Sequence, residues 1–81
     1  MIADIMEIER IKKEVIVRRG AFVSVNSVIL PGVIVGQCAL IKSGSVVDAD
    51  VPDFCIVQGN LARRVGRLPE AAVSRFHELY A

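Results

Sequence analysis

The side chains that could act as a nucleophile or a base are few in this chain and lie far apart in its sequence. A serine nucleophile needs a histidine that a carboxylate orients, and the serines show no such order with His77, the one histidine. His77 follows the apolar Phe76, a setting typical of a partly exposed helix residue. A catalytic cysteine needs a basic neighbour, and none stands beside Cys38 or Cys55. We therefore predict no catalytic residue, and reduced structural thiols at both cysteines.

Three carboxylates cluster at Asp48, Asp50 and Asp53. Oxygen ligands of this kind can hold a divalent cation, but a charged run is more often a solvated surface. The single histidine excludes a His-rich zinc site built from one chain. We expect a solvated loop here and no metal site.

A basic cluster follows at Arg63, Arg64 and Arg67. Guanidinium groups make forked hydrogen bonds to phosphate, so the cluster is a candidate phosphate site. Simple solvation explains such a run equally well, and the sequence leaves both interpretations open. The formal net charge of +1 argues against non-specific electrostatic binding to nucleic acid, and we expect no nucleic-acid partner.

Length and composition limit the chain to one small, ordered domain. Of its 81 residues, 53% are hydrophobic and only 5% are aromatic, so Val, Ile, Ala and Leu dominate. This much aliphatic content excludes general disorder. A domain of this size has a large surface for its volume, and we expect part of its apolar surface to face another chain.

Two stretches bear on export and membranes. Met1–Asp4 carries an acidic residue where a signal peptide needs Lys or Arg. Residues 20–41 are uncharged and long enough for a membrane helix. The Ser, Asn, Pro and Gly residues scattered through that run, and its excess of Val and Ile over Leu, favour strands instead. We expect no membrane segment and a cytoplasmic protein.

A six-residue repeat is the element that must position these side chains. A β-branched aliphatic residue returns every sixth position, and a small or β-branched residue follows each one four places later. The first set is Val17, Val23, Ile29, Val35, Ile41 and Val47, and the second is Ala21, Ser27, Val33, Ala39, Ser45 and Val51. Neither a helix nor an alternating strand has this period. It predicts an all-β solenoid, a parallel β-helix with three short faces per turn, whose turns span residues 17–34 and 35–52.

The flanking segments are expected to close this short stack. Residues 53–59 can start a third turn, and Pro69 can occupy the first position of a helix. An apolar helix face would then contain Leu68, Val73, Phe76 and Tyr80. We expect an N-terminal segment over residues 1–14, either a short helix or irregular, β-helix turns over 15–59, and a basic tail with a C-terminal α-helix over 60–81.

Three stretches carry a resemblance to a known superfamily: residues 26–33 (NSVILPGV), 43–47 (SGSVV) and 51–60 (VPDFCIVQGN). Together with the hexad pattern, they resemble the C-terminal part of the hexapeptide-repeat acyltransferases, which include maltose, galactoside, serine and xenobiotic acetyltransferases. The resemblance implies a short left-handed parallel β-helix. It also implies a homotrimer that holds acetyl-CoA as cosubstrate in the groove between neighbouring subunits.

The same resemblance implies where the cofactor would lie. Ser43, Gly44 and Ser45 match the segment whose backbone borders the pantetheine arm. Gly59 and Asn60 match the stretch near the nucleotide end, where Arg63 and Arg64, with Arg67 beyond them, could meet the phosphates.

The chain departs from the family pattern at several positions. The family's catalytic histidine lies upstream of the matching turns, and residues 1–14 contain none, so we expect a truncated chain that lacks the catalytic base. Arg18, Ser24 and Lys42 stand where glycines are usual, and Leu61 where proline is frequent. The long cation of Lys42 could block the thioester arm or pair with phosphate.

Two functions therefore remain open, and with them the question whether the chain is an enzyme. One is an acetyltransferase-like protein that transfers acetyl from acetyl-CoA to a hydroxyl or amine of a small acceptor. The other is a non-catalytic trimeric β-helix module, whose open strand edges could also join stacks end to end.

Overall fold

The computed structural model describes residues 14–80, which form eight strands and one helix. The strands are β1 (Ile16–Val17), β2 (Phe22–Val23), β3 (Val28–Ile29), β4 (Ile34–Val35), β5 (Leu40–Ile41), β6 (Val46–Val47), β7 (Cys55–Gly59) and β8 (Ala62–Arg67), and the helix is α1 (Glu70–Tyr80). Apart from Glu14, the N-terminal segment predicted over residues 1–14 lies outside the described residues. No helix within residues 14–80 is long and apolar enough to cross a membrane.

The six-residue repeat folds into stacked parallel strands, as its period predicts. β1 pairs with β4, β2 with β5 and β3 with β6, and all three pairs are parallel. In each pair the partner lies three hexads later, for example Ile34 beside Ile16 and Leu40 beside Phe22. The chain therefore returns to the same sheet after every three hexads, and we call each set of three hexads one layer.

The step from the second layer to the third is shorter than three hexads. β7 pairs with β5 in parallel, so that Leu40 lies beside Ile56, two positions short of a full three hexads. The carboxylate oxygens of Asp50 and Asp53 accept hydrogen bonds of 2.8 Å from the backbone amides of Ile34 and Gln37. Both aspartates are exposed, as expected of a solvated loop. Their carboxylates also serve as hydrogen-bond acceptors for backbone amides at the point where the shortened segment departs from regular strand pairing.

The core consists of the inward aliphatic residues of the second and third layers. Val35, Ile41 and Val47 are 0–1% exposed, and they pack with residues that include Val51 and Val57. The repeat predicts the same burial for the first layer. There, however, Val17 is 49% and Val23 39% exposed, since no described strand pairs with β1–β3 on their N-terminal side.

The C-terminal helix is confirmed, and it covers one corner of the stack. α1 begins just after Pro69, which suits a first helical turn because its missing N–H has no partner there. Val73 and Phe76 are buried against Phe54, whose ring meets that of Phe76 edge to face at 5.6 Å. Cys38 packs against this cluster, whereas Cys55 belongs to the main core, and both thiols are free.

Strand β8 has no counterpart among the sequence predictions. It lies within the segment expected as a basic tail and pairs antiparallel with β7. It extends the β2–β5–β7 sheet to four strands. The arginines of the predicted phosphate site are therefore fixed in a strand.

Candidate functional site

The segment from Lys42 to Ser45 forms a tight corner held by hydroxyl groups. Gly44 has φ +73°, a conformation that favours glycine, and its amide donates to the carbonyl of Val25 at 3.1 Å. The carbonyl oxygen of Lys42 accepts hydrogen bonds from the Ser27 hydroxyl at 3.1 Å and the Ser45 hydroxyl at 2.6 Å. The corner is thereby fastened both within its own layer and to the layer before it.

Ser45 joins this corner to the end of β7. Its side chain is fully buried, and its hydroxyl oxygen accepts a 3.3 Å hydrogen bond from the amide of Gly59. Asn60 forms a parallel bridge with Val46, one residue further along. The structure therefore brings together the two segments, 43–45 and 59–60, that lie apart in the sequence. Because the Ser45 hydroxyl is used internally, a ligand at this corner would meet backbone and not that side chain.

A glycine turn redirects the chain into β8. Gly59 has φ +112°, and a Cβ atom there would lie 3.2 Å from the carbonyl oxygen of Leu61. The peptide bond between Asn60 and Leu61 is cis. Gly59 then pairs with Ala62, so the basic residues run back alongside β7.

The three arginines do not share one surface. Arg63 lies opposite Gln58 and Arg64 opposite Val57. Neighbouring residues of a strand point to opposite faces of the sheet, so Arg63 and Arg64 are directed apart. Arg67 forms an ion pair with Glu70 at 3.7 Å, and its guanidinium lies 5.9 Å from the centre of the Phe54 ring.

The remaining reactive side chains lie at a different corner. His77 is exposed on α1, with its ring edge-on to Phe54 at 5.7 Å. Burial and the charge of Asp53 raise the pKa of the Cys38 thiol, which keeps it protonated and a weak nucleophile at neutral pH. Within residues 14–80, no group of three or more His, Cys, Asp or Glu residues could hold a metal ion.

Sequence reasoning treated Ser27 only as a small residue of the repeat, although its hydroxyl helps to hold the corner at Lys42. It gave no role to Gly36, which lies against Pro52 and Asp53 at another corner of the stack. Ser27 stands three hexads before Ser45, one full layer, so a hydroxyl recurring at this interval was the available signal. At Gly36 an added Cβ would lie 2.6 Å from the backbone nitrogen of Asp53. That close approach between layers depends on the shortened step, which the repeat itself does not predict.

No protein-family model matches the chain. It is 47% identical over 51 residues to dTDP-3-amino-3,6-dideoxy-alpha-D-galactopyranose 3-N-acetyltransferase of Aneurinibacillus thermoaerophilus, covering 63% of this chain and 27% of that protein. It is also 37% identical over 68 residues to the bifunctional protein GlmU of Bradyrhizobium diazoefficiens, covering 84% and 14%. Among solved structures, serine acetyltransferase of Brucella abortus strain S19 in complex with coenzyme A superposes with a TM-score of 0.68 at 35% identity, covering 70% and 23%. The chain thus spans about a quarter or less of each relative's length.

Proposed function

The homologues and structural neighbours of this chain are hexapeptide-repeat acetyltransferases, the superfamily that its sequence resembles, and on that premise we propose that it binds acetyl-CoA. In this proposal it forms part of an acetyltransferase that acts on a hydroxyl or amine of a small acceptor. Two of the similar structures, both serine acetyltransferases, are complexes with coenzyme A.

We further propose that the layers form a short left-handed β-helix and that three chains associate around a threefold axis. Large apolar side chains remain exposed on each of the three sheets in the first layer. Ile16 is 46% exposed, Phe22 62% and Val28 51%. Burying such surface against neighbouring chains is favourable, at roughly 25 cal/mol per Å² of apolar area, and it would create the grooves between subunits in which the cofactor lies.

The observation that carries the proposal is the hydrogen bond between the Ser45 hydroxyl and the Gly59 amide. It holds the corner expected along the pantetheine arm against the turn that leads to Arg63. One extended ligand could therefore place its thioester arm along the Ser43–Ser45 corner and its phosphate group beside Arg63.

Acetyl transfer also needs a general base. The acceptor oxygen or nitrogen attacks the thioester carbonyl, its proton passes to the base, and the coenzyme A thiolate leaves. His77 lies at the α1 corner, against Phe54 and Phe76, while the Ser45–Gly59 link lies at another. We therefore place the base outside residues 14–80. The free thiols of Cys38 and Cys55 fit the reducing cytoplasm predicted for the protein.

Isothermal titration of acetyl-CoA into the purified chain tests this proposal, after light scattering has fixed its oligomeric mass. We expect saturable binding near one molecule per subunit in a trimer. Ser45→Ala should weaken binding because it frees the Gly59 turn, whereas Ser74→Ala on the exposed face of α1 serves as the matched control. A stable trimer without a saturable heat would overturn acetyl-CoA binding.

That last outcome would support the second candidate, a non-catalytic trimeric assembly module. The exposed apolar residues of the first layer favour it, since they suit contacts between chains whether or not a cofactor binds. The strand edges of β1–β3 also carry no described partner on their N-terminal side and could join stacks end to end.

A further inference from the structure

Three polar side chains form a row across the four-stranded sheet. Ile41 of β5 lies beside Val57 of β7, and the amide of Lys42 donates to the carbonyl of Val57 at 3.0 Å, so the ladder continues to Lys42. Gln58 follows Val57 and lies opposite Arg63 of β8. Lys42, Gln58 and Arg63 thus occupy neighbouring positions on three adjacent strands.

All three side chains point to the outer face of the sheet. Ile41 and Val57 are buried in the core, and the residue after each of them points the opposite way. Lys42 and Gln58 are accordingly exposed. Directly opposed residues of an antiparallel pair share a face, so Arg63 joins them. Arg64 lies opposite Val57 and points to the other face.

The two cations of this row are close enough to act on one ligand. Two strand spacings separate their Cα atoms, about 10 Å, and both side chains are long and exposed. The carboxylates of Asp50 and Asp53 accept hydrogen bonds from the backbone amides of Ile34 and Gln37. That of Glu70 pairs with Arg67. The Gln58 amide adds a hydrogen-bond donor between the two charges.

We propose that Lys42, Gln58 and Arg63 form an anion-binding site for a phosphate or diphosphate group, and that Arg64 is not part of it. This inference rests on the proposed function in one respect, since it makes the site the place where the phosphate end of coenzyme A is held. It assigns Lys42 to phosphate binding and not to blocking the groove. The ammonium supplies a point charge and the guanidinium a two-pronged donor.

The test uses two probes, inorganic pyrophosphate and coenzyme A, titrated by calorimetry at low ionic strength, where exposed charges are screened least. The variants are Lys42→Met, Arg63→Met and Arg64→Met. Arg75→Met, at an exposed position of α1, is the charge-matched control. Light scattering and circular dichroism confirm that each variant keeps the wild-type assembly and fold.

We expect Lys42→Met and Arg63→Met each to weaken pyrophosphate binding about tenfold, as the loss of one charge-assisted hydrogen bond would. Arg64→Met should cost less than about threefold, and Arg75→Met should have no effect. Equal losses in Arg63→Met and Arg64→Met would overturn the inference. So would an unchanged or tighter complex in Lys42→Met, or a wild-type chain that binds neither probe.

The two probes separate this inference from the proposed function. Pyrophosphate binding that depends on Lys42 and Arg63, without any binding of coenzyme A, would support the anion site and refute the cofactor proposal. Coenzyme A binding that is insensitive to both substitutions would support the cofactor proposal and refute the anion site.

Discussion

Replacing Gly36 by alanine tests whether the shortened layer is built as described. Gly36 is buried, and its backbone does not adopt the left-handed conformation that alanine disfavours. An added methyl carbon would nevertheless lie 2.5 Å from a carboxylate oxygen of Asp53, 2.6 Å from its backbone nitrogen and 2.7 Å from the carbonyl carbon of Pro52. The clash is mainly with backbone, which cannot move aside as a flexible side chain could.

The expected loss of stability follows from these contacts. Overpacking of a tight site costs roughly 1–3 kcal/mol. The methyl group also pushes apart the layers that the Gly36 amide links to the carbonyl of Val51 at 2.8 Å, and a weakened hydrogen bond costs about 1 kcal/mol more. Alanine also lowers the conformational entropy of the unfolded chain, which offsets about 0.4–1 kcal/mol of this loss. We therefore expect Gly36→Ala to lower the free energy of unfolding by about 2–3 kcal/mol.

Urea denaturation followed by circular dichroism measures this loss, at one fixed protein concentration because assembly contributes to stability. Gly44→Ala is the matched control: its φ is +73°, but nothing lies within 4 Å of the added carbon. It should cost only the left-handed backbone strain, about 1–2 kcal/mol. If Gly36→Ala proved no more destabilising than Gly44→Ala, the close approach of the two layers would be refuted.

Three further substitutions, one of them with a matched control, address the corners of the stack. Ser45→Ala leaves the half-buried Gly59 amide without its hydroxyl acceptor and should lower the free energy of unfolding by about 1–2 kcal/mol in the same urea assay; an unchanged midpoint would contradict the link. Phe76→Ala removes the contact with Phe54 and should cost about 3 kcal/mol, whereas Leu79→Ala, 61% exposed, should stay within about 0.5 kcal/mol of wild type. Asp53→Asn removes the negative charge that helps to raise the pKa of the Cys38 thiol, so at a fixed mildly alkaline pH Ellman's reagent should react faster with the variant; a slower reaction would contradict that electrostatic coupling.

The hexad pattern predicts most of the fold because its period sets the strand register. Once a β-branched residue returns every sixth position, parallel pairs three hexads apart follow, and Ile41 and Val47 fall in the core. Pro69 and the apolar spacing after it predict α1, because the start and the buried face of a helix are both determined by nearby residues in the sequence. The exposure of Val17 could not be predicted in this way, because it depends on what pairs with the first layer and not on the repeat.

Strand β8 is harder to predict because little of it is buried. Its residues are exposed or only half-buried, so the alternation of apolar and polar residues that marks a strand is missing. Backbone pairing with β7 holds it instead. The division between Arg63 and Arg64 depends on that pairing, and a shift of one residue would exchange their faces. A sequence alone can therefore mark the arginines as candidate phosphate ligands without showing which of them share a surface.

The shortened layer explains why the candidate site forms at this end of the stack. A strict step of three hexads would place Arg63 beside Ser45, where a long charged side chain would meet a fully buried hydroxyl. Instead the step from Leu40 to Ile56 is two positions shorter, and the step from Val46 to Asn60 is four positions shorter. Ser45 therefore meets the backbone amide of Gly59, which can approach closely because glycine has no side chain. Arg63 is carried one strand further and onto the outer face, where its charge stays solvated and open to an anion.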